Sequence, residues 1–122
     1  MLVLAYAWTQ ATTRYTMNNI SLAEQPDFVE TSAALLQAMA NPARINILII
    51  LAEREVSVGP LSELVGLSQS ALSQHLAKLR QAGLVSTRRE AHTVYYICKS
   101  SAVLRILAIL SEFYTKRTFF DT

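Results

Sequence analysis

The chain has 122 residues, 52% of them apolar and 16% charged, with a formal net charge of +2. That length suits one domain able to bury a core, and the single cysteine, Cys98, excludes an intrachain disulfide and a disulfide-stapled secreted scaffold. The charge is unevenly placed. Between Leu64 and Ser100, Lys78, Arg80, Arg88, Arg89 and Lys99 stand against Glu90 alone, a balance of +4; the first 63 residues set Arg14, Arg44 and Arg54 against six carboxylates, a balance of −3. Such asymmetry points to an anionic partner for the middle of the chain.

Residues 1–25 are expected to form a flexible arm. Met1 to Trp8 is apolar, but eight residues cannot span a bilayer and no cationic stretch of a secretory signal precedes them. An interfacial anchor at Trp8 is the functional alternative, and Met17 offers a second translation start. A helix is predicted from Pro26-Asp27 to about Ala40, with Phe28, Leu35 and Met39 on one face. Asn41 can cap the next helix and Pro42 suits its first position. That helix, Pro42 to Ala52, is apolar nearly all round and is expected at the buried centre of the domain, with Arg44 at the surface or on a phosphate. Glu53 to Ser57 reads as a charged connection.

A short helix is predicted from about Gly59-Pro60 to Gly66, followed after a tight turn by the helix within Leu67–Val85, LSQSALSQHLAKLRQAGLV. Ser68 is its candidate N-cap and Gly83 its stop. Leu72, Leu76 and Leu79 recur on one side. The other side carries Ser70, Ser73, Gln74, Ala77, Lys78 and Gln81, and no carboxylate occurs in the helix. Ordinary surface helices mix Glu with Lys to gain i,i+4 pairs. Short hydroxyls and amides suit a helix that reads base edges in a DNA major groove. Two short helices joined by a Gly-containing turn make a helix-turn-helix.

After Gly83 the period changes to two. Leu84–Arg89 and Thr93–Cys98 are predicted strands of a hairpin with Glu90-Ala91-His92 at its tip. Behind a helix-turn-helix, such a hairpin is a wing, and Arg88 and Arg89 are expected to meet phosphates or a narrow minor groove. Ser101 is expected to cap a last helix reaching about Tyr114. Its apolar residues cover an arc of about 220°, more than one domain buries. Leu104, Leu107, Ile109, Leu110 and Phe113 are therefore expected to face the same helix of a second copy, with the N-terminal arm as alternative cover.

The predicted fold is mainly α with a small β-hairpin, a winged helix-turn-helix over residues 26–117 with a C-terminal tail at 118–122. This order of elements resembles the ArsR/SmtB family of winged-helix regulators. The resemblance covers residues 27–114 and is strongest in AMANPARINIL (Ala38–Leu48), in LSQSALSQHLAKLRQAGLVSTRR (Leu67–Arg89) and in TVYY (Thr93–Tyr96). It implies a cytoplasmic homodimer that binds double-stranded DNA at a palindromic operator, usually as a repressor. Ser68, Gln69, Ser70, Ser73, Gln74 and His75 match the family's DNA-facing positions in the recognition helix, and Arg88 and Arg89 match its wing.

The Cys-Val-Cys motif and the Asp/His and His/Glu pairs of metal-sensing members are missing, and His75 and His92 lack the clustering a zinc site requires. Neither metal nor other cofactor is expected, and no membrane partner. Redox-sensing members carry cysteines where Ile49 and Thr115 stand here. Cys98 has no partner in its own chain, and a lone buried thiol is more often inert packing than a switch. Three readings stay open beside the repressor: an activator that displaces another silencer, a redox-responsive regulator, and a protein-interaction module without DNA binding. No glycine-rich phosphate loop, catalytic-triad spacing or carboxylate cluster argues for an enzyme.

Overall fold

The computed structural model describes residues 24–120, so nearly all of the expected arm, with Trp8 and Met17, lies outside the described residues. The elements are α1 (Phe28–Met39), α2 (Pro42–Glu53), β1 (Val56–Ser57), α3 (Val58–Val65), α4 (Gln69–Gln81), β2 (Ser86–Glu90), β3 (Thr93–Ile97) and α5 (Ser101–Lys116). The molecule is a winged helix-turn-helix, mostly helical with one small antiparallel sheet.

Short-range chemistry sets most helix boundaries. Asn41 accepts the Arg44 N–H at 3.1 Å with Pro42 in the first turn of α2, and Ser68 accepts the Ala71 N–H at 3.1 Å to start α4. Gly66 ends α3 at φ 69° and Gly83 follows α4 at φ 75°, left-handed values that a side chain resists. Across each glycine the next N–H reaches back into the helix, Leu67 to the Ser62 carbonyl at 3.0 Å and Leu84 to the Leu79 carbonyl at 2.9 Å.

Two expected starts differ. Asp27 precedes α1 in a left-handed conformation with no side-chain cap bond, and of the predicted face only Met39 is buried while Phe28 is exposed. Ser100 rather than Ser101 caps α5, accepting the Val103 N–H at 3.3 Å. Cys98 donates its N–H to the Leu51 carbonyl at 2.9 Å, which pins the chain just ahead of that serine.

The core joins Ile47, Leu48 and Leu51 of α2 with Leu61 of α3, Leu72, Leu76 and Leu79 of α4, and Val103 of α5. The three α4 leucines are at most 1% exposed, and each contributes about 1.5–3 kcal/mol by leaving water. They seat α4 on the body and set which side it turns outward. The expectation that α2 is buried all round needs correction. Ile49 is 45% exposed, and with Ile45 and Ala52 it lines an open groove of about 610 Å³ against Leu104, Leu107 and Leu110 of α5. Only one side of α2 meets the body of its own chain.

The sheet order is β1-β3-β2. The strand β1 lies inside the expected charged connection and pairs Val56 with Tyr96 and Ser57 with Tyr95. The hairpin pairs Ser86 with Ile97 through Glu90 with Thr93, leaving a two-residue turn at Ala91-His92. Leu84 and Val85, expected in the strand, are buried residues leading into it. The expected tail is in contact with α5: the Phe119 ring centroid lies 6.5 Å from that of Phe113 and 6.2 Å from that of Tyr114. No single described helix is long and apolar enough to cross a membrane.

Candidate nucleic-acid interface

With Leu72, Leu76 and Leu79 turned inward, the helical period turns Ser70, Ser73, Gln74, Ala77, Lys78 and Gln81 outward; all six are exposed, as is Gln69, the first residue of the helix. The face carries amides, hydroxyls, one methyl and one ammonium. Ser68, also exposed, spends an oxygen lone pair on the Ala71 N–H and keeps its hydroxyl proton to donate. The first N–H groups of α4 emerge beside it, where a helix end favours an anion.

His75 departs from this group. It is half-buried, with Nδ1 3.5 Å from Nη1 of Arg44. Arg44 in turn donates from Nε to the Ala38 carbonyl at 2.7 Å and from Nη2 to the Gln37 carbonyl at 3.2 Å. The guanidinium, expected at the surface or on a phosphate, ties the end of α1 to α2 and α4. Burial, then the Arg44 charge, then Lys78 push the His75 pKa below its ordinary value. The neutral ring suits its place, because Arg44 offers only donors and an unprotonated Nδ1 accepts.

The two wing arginines, expected to act together, point to opposite faces of the sheet. Alternate residues of a strand share a face, so Thr87, Arg89, Val94 and Tyr96 stand on one side and Arg88 and Tyr95 on the other. Tyr96 borders a groove of about 340 Å³ whose other wall is Ser73, Leu76, Ala77, Arg80 and Gln81 of α4. Arg89 is therefore on the side of the wing that faces the recognition helix. It is exposed and makes no salt bridge to any described residue.

Arg88 is taken up by carboxylates. Its Nε and Nη2 donate to Glu55 at 2.8–3.2 Å, its Nη1 donates to Glu90 at 3.0 Å, and its guanidinium lies 4.8 Å from the Tyr95 ring centroid. The bonds from Arg88 hold the Glu55 carboxyl below the usual carboxylate range and raise the Arg88 pKa in return.

Sequence reasoning passed over Arg80 and Tyr96 as groove residues and Glu55 as a partner of the wing. Period two in TVYY puts Val94 and Tyr96 on one face and Thr93 and Tyr95 on the other. Only the packing of Tyr96 beside α4 tells which of the two faces turns toward the recognition helix. Among the described residues no group of three His, Cys, Asp or Glu side chains is placed to hold a metal ion.

The chain is similar in sequence and fold to known proteins. Residues 41–87 match the family described as bacterial regulatory protein, arsR family. The nodulation protein NolR of Rhizobium meliloti is 56% identical over 91 residues, covering 75% of this chain and 75% of that protein. The transcriptional activator HlyU of Vibrio cholerae is 52% identical over 83 residues, 68% of this chain and 77% of that protein. Among solved structures, NolR from Sinorhizobium fredii superposes with a TM-score of 0.71 at 54% identity, over 74% of this chain and 93% of that one.

Proposed function

The chain belongs to the arsR family of bacterial regulatory proteins, a family of regulators and not of enzymes, and from that premise we propose that it is a sequence-specific DNA-binding repressor. It acts in the cytoplasm as a homodimer on an imperfect palindrome. The observation that carries the reading is the exposed, carboxylate-free face of α4 standing beside the Arg89 side of the wing. Gln69, Ser70, Ser73 and Gln74 enter the major groove, where the Gln69 amide donates to and accepts from an adenine edge. Ser68 and the first N–H groups of α4 meet a backbone phosphate, and Arg89 meets another at the flank.

Dimerisation is supported by the apolar surface that one copy leaves open. On α5, Leu104, Ile109, Leu110 and Phe113 are 37–52% exposed, and Leu107 is half-buried along the same groove. A twofold partner covers that surface and presents two recognition helices to two half-sites, with centres about one helical turn or a multiple apart. Repression is the simplest outcome, since a dimer seated on a promoter excludes the polymerase. Activation by displacing another silencer is the second reading, favoured by the name transcriptional activator that the Vibrio relative carries.

Bound sequences are selected from a random duplex pool, and variants are then titrated on the selected site and on scrambled DNA across a salt series. Gln69→Ala should cost about 1–3 kcal/mol on the selected site, roughly 5- to 150-fold, and little on scrambled DNA. Arg89→Ala should weaken both and make the salt slope shallower by about 0.9. Failure of the parent chain to select any sequence would overturn the reading.

A further inference from the structure

The cluster on the far side of the wing pairs its one guanidinium with two carboxylates. Glu55 stands just ahead of β1, Tyr95 on β3, and Arg88 and Glu90 on β2, so the Arg88 side chain straps across all three strands. Two carboxylates hold one guanidinium, which leaves the cluster with a net charge of −1 at neutral pH. A phosphate approaching Arg88 meets donors already engaged by carboxylates, with Lys99 the other cation near enough to act on Glu55.

Building on the DNA-binding reading above, we propose that Glu55 is a specificity residue: it withholds Arg88 from DNA and so limits the charge the wing offers to any sequence. Non-specific affinity comes almost wholly from cation–phosphate pairs. A cation that is paired off adds nothing to it, while base reading by α4 is left intact. The selected site thereby keeps its margin over bulk DNA. The strap also fixes the wing so that Arg89, on the other face, is the cation presented.

The test compares the full chain with Glu55→Gln and with Glu55→Gln/Arg88→Ala. The double variant carries the same net charge as the parent, because one carboxylate and one guanidinium leave together. Thermal melting followed by circular dichroism confirms that each is folded, and affinity for scrambled duplex is measured across a salt series. Glu55→Gln removes the partner of Nε and Nη2 and leaves Arg88 the single bond to Glu90, and it should steepen the slope of log affinity against log salt by up to about 0.9, one added phosphate contact. Between about 50 and about 200 mM salt it should then lose up to roughly three- to fourfold more affinity than the parent. The double variant should match the parent.

A double variant with a slope shallower than the parent's by about 0.9 would show that Arg88 already holds a phosphate, and the proposal would fall. Three identical slopes would mean that Glu55 is not what keeps Arg88 from DNA, and the proposal would fall equally. A parent that binds no duplex at all is a different result: it overturns the DNA-binding reading itself, and this inference with it.

Discussion

Ser68 stands where folding and recognition meet, and two substitutions separate its roles. Its hydroxyl accepts the Ala71 N–H at 3.1 Å, one of the orphan donors at the start of α4. Ser68→Ala removes that acceptor and should cost about 1 kcal/mol of stability, within a range of about 0.5–2. For a domain of this size about 1 kcal/mol lowers the melting temperature by about 4–8 °C. Ser68→Asp keeps an acceptor at the cap and adds a favourable charge at the positive end of the helix, so its melting temperature should equal or exceed the parent's. On DNA the order reverses. The aspartate carboxylate meets the phosphate expected at that helix end, and like-charge juxtaposition costs several kcal/mol, so affinity should fall by at least about tenfold. The Ser68→Ala chain, measured well below its transition, should bind within a few-fold of the parent. The assays are thermal denaturation by circular dichroism and fluorescence anisotropy on selected duplex. A Ser68→Asp chain that is as stable as the parent and binds DNA equally well would falsify the placement of this helix end at the backbone.

Other consequences follow from the same geometry. Leu110 is 37% exposed on α5, so Leu110→Glu should fold but sediment as a monomer and lose operator binding; a variant that remains dimeric would move the interface elsewhere. The His75 pKa is lowered in the folded state, so below the ordinary histidine value of about 6.5 the unfolded chain binds more protons and stability drops with falling pH. His75→Gln should flatten the urea-midpoint profile between about pH 7 and about pH 5.5, and an unchanged profile would show that burial and the Arg44 charge do not depress the ring's pKa. The Cys98 thiol is 3% exposed and burial raises its pKa, which keeps thiolate scarce at neutral pH. Operator affinity should therefore resist mild oxidant, Zn²⁺ and chelator. An oxidant response that disappears in Cys98→Ser would make this thiol a switch.

The helix-turn-helix was legible because its determinants act within a few residues. Leucines at 72, 76 and 79 share a face by helical period alone, Ser68 caps the N–H three residues ahead, and Gly66 and Gly83 relieve left-handed turns that other residues resist. The exposed polar face of α4 follows from the same spacing once the leucines are buried. Other features depend on partners far along the chain. Two residues cannot display a period, so Val56–Ser57 becomes a strand only because Tyr95 and Tyr96 offer it a ladder some forty residues later. Arg88 and Arg89 look alike as neighbours in sequence. Strand alternation puts them on opposite faces, and packing decides that Glu55, 33 residues away, takes one of them. The family resemblance alone makes His75 a reader, although three residues after Leu72 and four before Leu79 it borders the leucine face, and Arg44 on α2, 31 residues before it, meets it there. The apolar run of α2 measures hydrophobicity but not direction. That Ile47 and Leu48 face the core while Ile49 lines an open groove depends on where α5 lies, a placement no local pattern encodes.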